Sequence, residues 1–361
     1  MALFSFTFAR KNTANKFNPL SMKKSSILIL AVLLALSGIS IYIYKTKGNT
    51  STLDKEASDF KFKDTASIDK IFLADKDGKQ VLVERTKSGW VLDGKFHVRP
   101  DVIEVLLYTI KSVEVKSPVS KQGKVNVIKV LAAKSTKIEI YSKGKKVKQY
   151  FVGNNTQDHT GTYMLLTNLE TGENYEEPFI THIPGFDGFL STRYNTNEID
   201  WRDRLLINYR PPQIKQIQLD LHEIPDSSFV IDLFSMQRFG LKTKKGNQPF
   251  EEDKMKQYLA YFQNVNCEIV LDKKNPLVDS LSKSAIPFAT LTITDRNNGS
   301  TVCEFFHKYS NAAKNEEYNK NYVYDPDELY VRYNNKKDYG IAQFYVFGKI
   351  LQTYTYFSPR K

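Results

Sequence analysis

The sequence has little of what builds covalent frameworks or metal sites. Only two cysteines, Cys267 and Cys303, occur among 361 residues. That excludes a disulfide scaffold and a structural zinc site made of cysteine alone. An oxidising compartment would allow one bridge between them, and two buried reduced thiols are the simpler expectation. Histidine is as sparse: His97, His159, His182, His222 and His307. No two lie within five residues of each other, so no HExxH helix or other compact ligand pair exists. Each is expected at a surface or a strand end. No GxGxxG or Walker loop occurs, which leaves nucleotides without a cradle. No catalytic, metal-binding or cofactor-binding residues are expected, and the chain is not expected to be an enzyme.

Acidic residues are missing from the first 47 positions, which carry Arg10, Lys11, Lys16, Lys23, Lys24, Lys45 and Lys47. These supply seven of the 52 basic residues, so beneath the net charge of +12 the remainder holds 45 basic and 40 acidic side chains. A body so balanced is an ordinary solvated surface, and no nucleic-acid partner is expected.

What is present is one long uncharged stretch. Ile27 to Tyr44 runs for eighteen residues without a charge. As a helix rising about 1.5 Å per residue it would be roughly 27 Å long, close to the ~30 Å hydrocarbon core of a bilayer. Basic residues precede it, while Asp54, Glu56 and Asp59 dilute the later side. The positive-inside rule therefore places the amino terminus in the cytoplasm and the bulk of the chain in the periplasm, behind a bacterial inner-membrane anchor. Met22-Lys23-Lys24-Ser25-Ser26 has the form of a bacterial targeting start, so Met22 is a candidate true start. Cleavage after Ala35-Leu36-Ser37 is the rival reading. An uncleaved anchor is preferred because the apolar run continues through Ile39, Ile41 and Ile43. No cysteine follows the run, which excludes a lipoprotein. The expected organisation is a basic cytoplasmic segment (1–26), the anchor (27–44), a polar linker (45–60) and two related units (61–200 and 201–361).

The two units rest on repeated patterning. Ile68-Asp69-Lys70-Ile71-Phe72-Leu73 returns 146 residues later as Ile214-Lys215-Gln216-Ile217-Gln218-Leu219. Hairpin-like runs follow in both: Val81-Leu82-Val83 and Gly89-Trp90-Val91-Leu92, then Phe229 to Leu233 and Phe239-Gly240-Leu241. A helix comes next. Its apolar face is Ile103, Leu106, Leu107, Ile110 and Val113 in one unit, and Met255, Tyr258, Leu259, Phe262 and Val265 in the other. All five positions shift by 152, at the spacing of one buried stripe. Strand-like Thr136 to Tyr141, Gln149 to Val152 and Tyr163 to Leu166 then match Thr290 to Thr294, Glu304 to Phe306 and Leu329 to Tyr333. Each unit ends on an aromatic run, Pro178 to Tyr194 and Phe344 to Phe357. The expected fold is α+β: an internally duplicated β-β-β-α-β-β-β module with mostly antiparallel sheets and one main amphipathic helix each. Pro211-Pro212 marks the start of the second unit.

Gly89-Trp90-Val91-Leu92, the helix after Arg99-Pro100-Asp101, and Trp201-Arg202-Asp203-Arg204-Leu205-Leu206 before Ile214 to Ile217 resemble domain-of-unknown-function family 4340, over roughly residues 60 to 350. The resemblance implies a membrane-anchored bacterial protein. It also implies a setting in the cell envelope, since similar regions occur beside ABC-type transport and gliding-motility components of Bacteroidetes. It supplies no catalytic residues.

Other patterns have a plainer reading. Asp158-His159 lies in the turn Gly153 to Gly161 and reads as loop chemistry. Ser280-Leu281-Ser282-Lys283 matches S-x-x-K but lacks the S-D-N and K-T-G companions. Asp325, Asp327 and Glu328 read as a turn before a strand rather than a cation site. The aromatic runs (Phe179, Phe186, Phe189 and Tyr194; Phe344, Tyr345, Phe347, Tyr354, Tyr356 and Phe357) read first as core and second as walls of a glycan or peptide groove. The function expected is a non-enzymatic scaffold or accessory subunit of an envelope complex, transporter-like in its associations. The alternative is a module that binds a glycan or peptide in the cleft between the units.

Overall fold

Alternation of buried and outward residues, interrupted by one irregularity near the start of each central strand, organises the centre of each sheet. The structure, a computed structural model, describes residues 32–42, 55–235 and 237–359. Residues 32–42 are helical, and among the described residues no helix is long and apolar enough to cross a membrane. The rest of the run 27–44, the basic segment 1–26 and most of the linker 45–60 lie outside the described residues. Ala57–Lys361 forms a compact unit of its own.

The first sheet is built from Ile68–Ala74 (β1), Gln80–Thr86 (β2), Gly89–Leu92 (β3) and Phe96–His97 (β4). The chain then forms helix Pro100–Ser112 (α1), strand Glu114–Pro118 (β5) and helix Lys121–Ala133 (α2). Thr136–Ser142 (β6), Lys145–Asn155 (β7), Thr162–Leu166 (β8) and Phe179–His182 (β9) complete the sheet. A connection with Glu198–Trp201 (α3) and Leu205–Ile207 (β10) leads to the second sheet. That sheet opens with Ile214–Leu221 (β11), Phe229–Ser235 (β12), Arg238–Thr243 (β13) and Gly246–Asn247 (β14). Glu252–Ala260 (α4), Val265–Asn266 (β15), Ile269–Val270 (β16) and Pro276–Lys283 (α5) follow. Ala289–Asp295 (β17), Ser300–Tyr309 (β18), Ala312–Glu317 (α6), Tyr324–Tyr333 (β19), Asp338–Gln343 (β20) and Phe344–Phe347 (α7) close it.

The strand orders are β4-β3-β2-β1-β6-β7-β8-β9-β5 and β14-β13-β12-β11-β17-β18-β19-β20-β16, antiparallel throughout. The fold is thus α+β with mostly antiparallel sheets. Position for position the two orders are the same. The registers agree as well: Ile71 sits between Val83 and Ile140, and Ile217 between Ile231 and Ile293. All six are fully buried. Burying a side chain of this size stabilises by about 1.5–3 kcal/mol, so these rows fix which face of each sheet turns inward.

Helix α1 starts at Pro100, whose absent N–H is one the first turn would leave unpaired, and Asp101 favours the same end. It buries Ile103, Leu106 and Ile110, while Leu107 is only half-buried. The counterpart α4 buries Met255, Tyr258 and Leu259. It ends at Ala260, so Phe262 and Val265 are buried from beyond the helix.

Each sheet carries a second helix, a correction to the expected unit. Four strands precede α1, and an edge strand with a further helix intervenes before the last four. Helix α2 escapes notice because Gly123 and three valines weaken its helical signal and only Val127 and Leu131 are buried. Helix α5 has eight residues, begins at Pro276 and is capped by the Asn275 side chain accepting from the Leu277 N–H at 3.0 Å. The two occupy matching places. Val127 and Leu131 of α2 cluster with Phe151, Tyr163 and Ile180; Val278 and Leu281 of α5 cluster with Phe306, Tyr330 and Ile341. The aromatic tails do not correspond as expected: Phe179–His182 is strand β9, whose counterpart is β20, before the run that starts at Phe344.

Candidate functional site

The most built polar site begins with a buried tryptophan in the connection between the sheets. Trp201 is fully buried, and its indole N–H donates to the Asn195 carbonyl at 2.9 Å. The backbone beside it is stitched to the first sheet: the Arg99 N–H donates to the Trp201 carbonyl at 2.9 Å, and the Asp203 N–H to the His97 carbonyl at 2.8 Å. Arg202 is thereby held between the two sheets, with only 5% of its surface exposed. Its guanidinium lies 3.8 Å from the centre of the Phe96 ring, and its Nη2 donates to Asp338 Oδ1 at 2.9 Å. The second Asp338 oxygen accepts from Asn334 Nδ2 at 2.7 Å. Pairing of this kind is what allows two charges to be buried at all.

Next to this pair lies a cavity of about 330 Å³, with Lys95, His97 and Asp203 on one side and Thr301, Asn334 and Asn335 on the other. The turn at its rim is unusual. Asn334, Asn335 and Lys336 have φ of 50°, 55° and 65°, three left-handed residues in succession. Asparagine tolerates this conformation and lysine much less, so the turn carries strain.

Of the residues singled out from sequence, His97 alone among the histidines lines this cavity, and none of the named aromatic-tail residues does. Phe179, Tyr194, Phe347 and Phe357 are buried in the cores, while Phe186 and Tyr345 are exposed. Asp158 stays within its loop, accepting from the hydroxyls of Thr156 and Thr160, which hold its carboxyl below the ordinary range, while the His159 ring meets Phe189 at 6.0 Å. Ser280 and Lys283 lie in α5, where Lys283 pairs with Asp279 at 2.7 Å, an i,i+4 helix contact. Among the described residues no three His, Cys, Asp or Glu side chains converge as a metal site.

Cys267 and Cys303 are free and buried. Burial pushes each thiol up to about 12. The thiolate is the reactive species, so neither should react with a water-soluble disulfide reagent in the native protein, and both should react once denaturant is added. Fast labelling of the folded chain would contradict this packing.

Asp325, Asp327 and Glu328 lie within β19, at the irregularity where its pairing with β18 shifts, rather than in a turn before the strand, and lysines pair with them there. Lys308 pairs with Asp325 at 2.8 Å and with Glu328, and Lys314 pairs with Asp327 at 2.6 Å. Burial alone would raise the Asp325 pKa. Lys308 and the N–H groups of Asp327 and Glu328 outweigh it and hold the carboxyl below its ordinary 3.8. A depressed folded pKa contributes stability above the unfolded value that disappears as pH falls through the folded one. Asp325→Asn should therefore lower the urea midpoint at neutral pH, with the gap to wild type closing once the pH drops below about 3.8. A gap that stays constant on acidification would remove Asp325 from the account.

Sequence reasoning passed over a row of stacked rings on the second sheet. His307 stacks on Phe288 at 4.3 Å and on Tyr324 at 3.9 Å, nearly parallel in the second case, and Tyr324 touches Tyr309 at 5.5 Å. The His307 imidazole also bonds Glu223 at 2.9 Å. Alternation in β18 and β19 was the available signal, since it places His307 and Tyr309 on one face.

No curated protein sequence and no solved structure matches the chain. The family described as domain of unknown function DUF4340 matches residues 90–283, from β3 in the first sheet to the end of α5 in the second. The matched segment contains Trp201 and Arg202 and amounts to more than half of the chain, so the protein belongs to the DUF4340 family.

Proposed function

We propose that this protein is a membrane-anchored, periplasmic scaffold or accessory subunit of a bacterial cell-envelope complex, without enzymatic activity of its own. In this reading the run 27–44 is the inner-membrane anchor, the body is an internal duplication of one α+β unit, and the complex is transporter-like. A setting among transport or gliding-motility assemblies of Bacteroidetes follows from the family resemblance.

The observation that carries the reading is the exposed apolar surface around the ring row. Tyr309 is 74% exposed and Val323 69%. Ile224, beside the Glu223 that holds His307, and Ile286, two residues before Phe288, are exposed as well. Tyrosine and aliphatic side chains gathered round a rigid stacked platform suit a protein interface, where such anchors carry most of the binding energy. A photocrosslinker placed at Tyr309 in cells should give one discrete adduct that is missing when it is placed at Lys87, on the β2–β3 turn of the first sheet. Equal labelling from both positions, or none from either, would count against the reading.

The cavity between the sheets favours a second reading, a ligand-binding module that uses the cleft. Its polar lining and buried Arg202 support that reading; the aromatic tails are no part of it. A ligand that binds the native state raises the melting temperature, so thermal shift with glycans and peptides tests it.

A further inference from the structure

Resting on the reading of the cleft as a ligand site, we infer that the ligand presents an oxyanion, a carboxylate or a phosphate, to Arg202. The open charged hydrogen-bonding capacity of the cavity is mostly on the donor side. Among the described residues Arg202 is paired only through Nη2, so Nε and Nη1 have no acceptor. Stacking on Phe96 and the bond to Asp338 fix the plane of the guanidinium. Held in that plane, the unused N–H groups on Nε and Nη1 point to different sides of the guanidinium, and each can donate a charge-assisted bond to an oxyanion oxygen. The ammonium of Lys95, the imidazole of His97 and the amide of Asn335 line the same cavity, and no described side chain pairs with them.

The carboxylate acceptors, by contrast, are mostly taken. Both Asp338 oxygens are used by Arg202 and Asn334. The Thr301 hydroxyl bonds the Tyr209 hydroxyl at 2.8 Å. Asp203 accepts from the Leu205 N–H through Oδ1, and its other oxygen is the one acidic acceptor left on the wall. A cation would meet that single oxygen against Lys95 and Arg202. An uncharged ligand can accept from these donors but leaves the charge of Lys95 without a counter-charge and forgoes the stronger charge-assisted bonds. An oxyanion supplies both. The cavity, at about 330 Å³, is near the small end of ligand pockets, so the occupant is a small molecule or a terminal group.

The test uses the full-length chain in detergent, titrated calorimetrically with inorganic phosphate, citrate and, as an uncharged probe, maltose, with melting temperatures followed in parallel. Phosphate or citrate should bind saturably, and whichever does so identifies the source of the oxyanion. Lys95→Ala and His97→Ala alter exposed side chains and should each weaken that binding by about tenfold. Arg202→Lys keeps a positive charge facing Asp338 but loses the unused, fixed N–H donors, and should abolish binding in a protein that still melts cooperatively. Wild-type affinity in all three folded variants would overturn the inference. Binding of maltose alone, lost in the same variants, would overturn the oxyanion while leaving the cleft reading standing. No binding by any of the three probes would bring down both.

Discussion

Arg202→Met is expected to destabilise the protein by about 3–5 kcal/mol, the range for removing one partner of a buried ion pair. The side chains of Arg202 and Asp338 are 6% and 8% exposed, so cavity water would only partly replace the missing partner. Methionine roughly preserves the volume beside Phe96 but leaves the Asp338 carboxylate with Asn334 Nδ2 as its one remaining side-chain donor. The loss would be felt widely. Asp338 opens β20, and the backbone on either side of Arg202 is bonded to His97 of β4 and to Arg99, just before α1. The double variant Arg202→Met, Asp338→Leu should recover most of the stability, because a buried pair gains little net free energy once desolvation is counted. Urea denaturation of the two single variants and the double variant, analysed as a cycle, measures this directly. An Arg202→Met midpoint equal to wild type would show that the pair does not hold the sheets together.

The elements that show in the sequence are those whose residues meet close neighbours in the chain. β1 and β11 alternate after one irregularity at their starts, and their hairpin partners follow within a few residues, so strand, turn and burial follow from local pattern. Helices α1 and α4 show because a full apolar stripe faces the sheet. What does not show is whatever is stabilised by distant contact. Helix α2 has two buried residues and depends on Phe151, Tyr163 and Ile180 to make a core. The edge strands β5 and β16 are short and pair only with β9 and β20, which come much later in the chain. The candidate site is hidden for the same reason. Trp201-Arg202-Asp203 is visible as a motif, but Asp338 lies 136 residues away and no local pattern connects the two. The three carboxylates of β19 look like a turn until Lys308 and Lys314 are placed beside them.

The aromatic run at the carboxyl end separates core from binding surface, and Phe357→Ala should cost about 3–5 kcal/mol. Phe357 is fully buried and meets Phe229 at 5.1 Å, Tyr258 at 5.0 Å and Tyr356 at 5.1 Å, each edge to face. Such ring pairs contribute roughly 0.5–1.5 kcal/mol beyond the area they bury. The backbone takes part too. The Phe357 carbonyl accepts from the Glu251 N–H at 2.8 Å, just before the first turn of α4, and the Ser358 carbonyl accepts from Lys254 Nζ at 3.1 Å. The last strand-to-tail segment thus holds the start of the helix that closes the second core. Truncating the ring opens a void bounded by Phe229 and Tyr258, which are themselves locked in the core and have little room to fill it. Tyr345→Ala, in the same run but 78% exposed, should change stability by no more than about 0.5 kcal/mol. Urea midpoints for the two variants provide the comparison. Equal midpoints would mean that Phe357 does not pack as described. A large loss for Phe357 beside none for Tyr345 assigns the buried rings of the run to the fold, and leaves only its exposed ones for any partner.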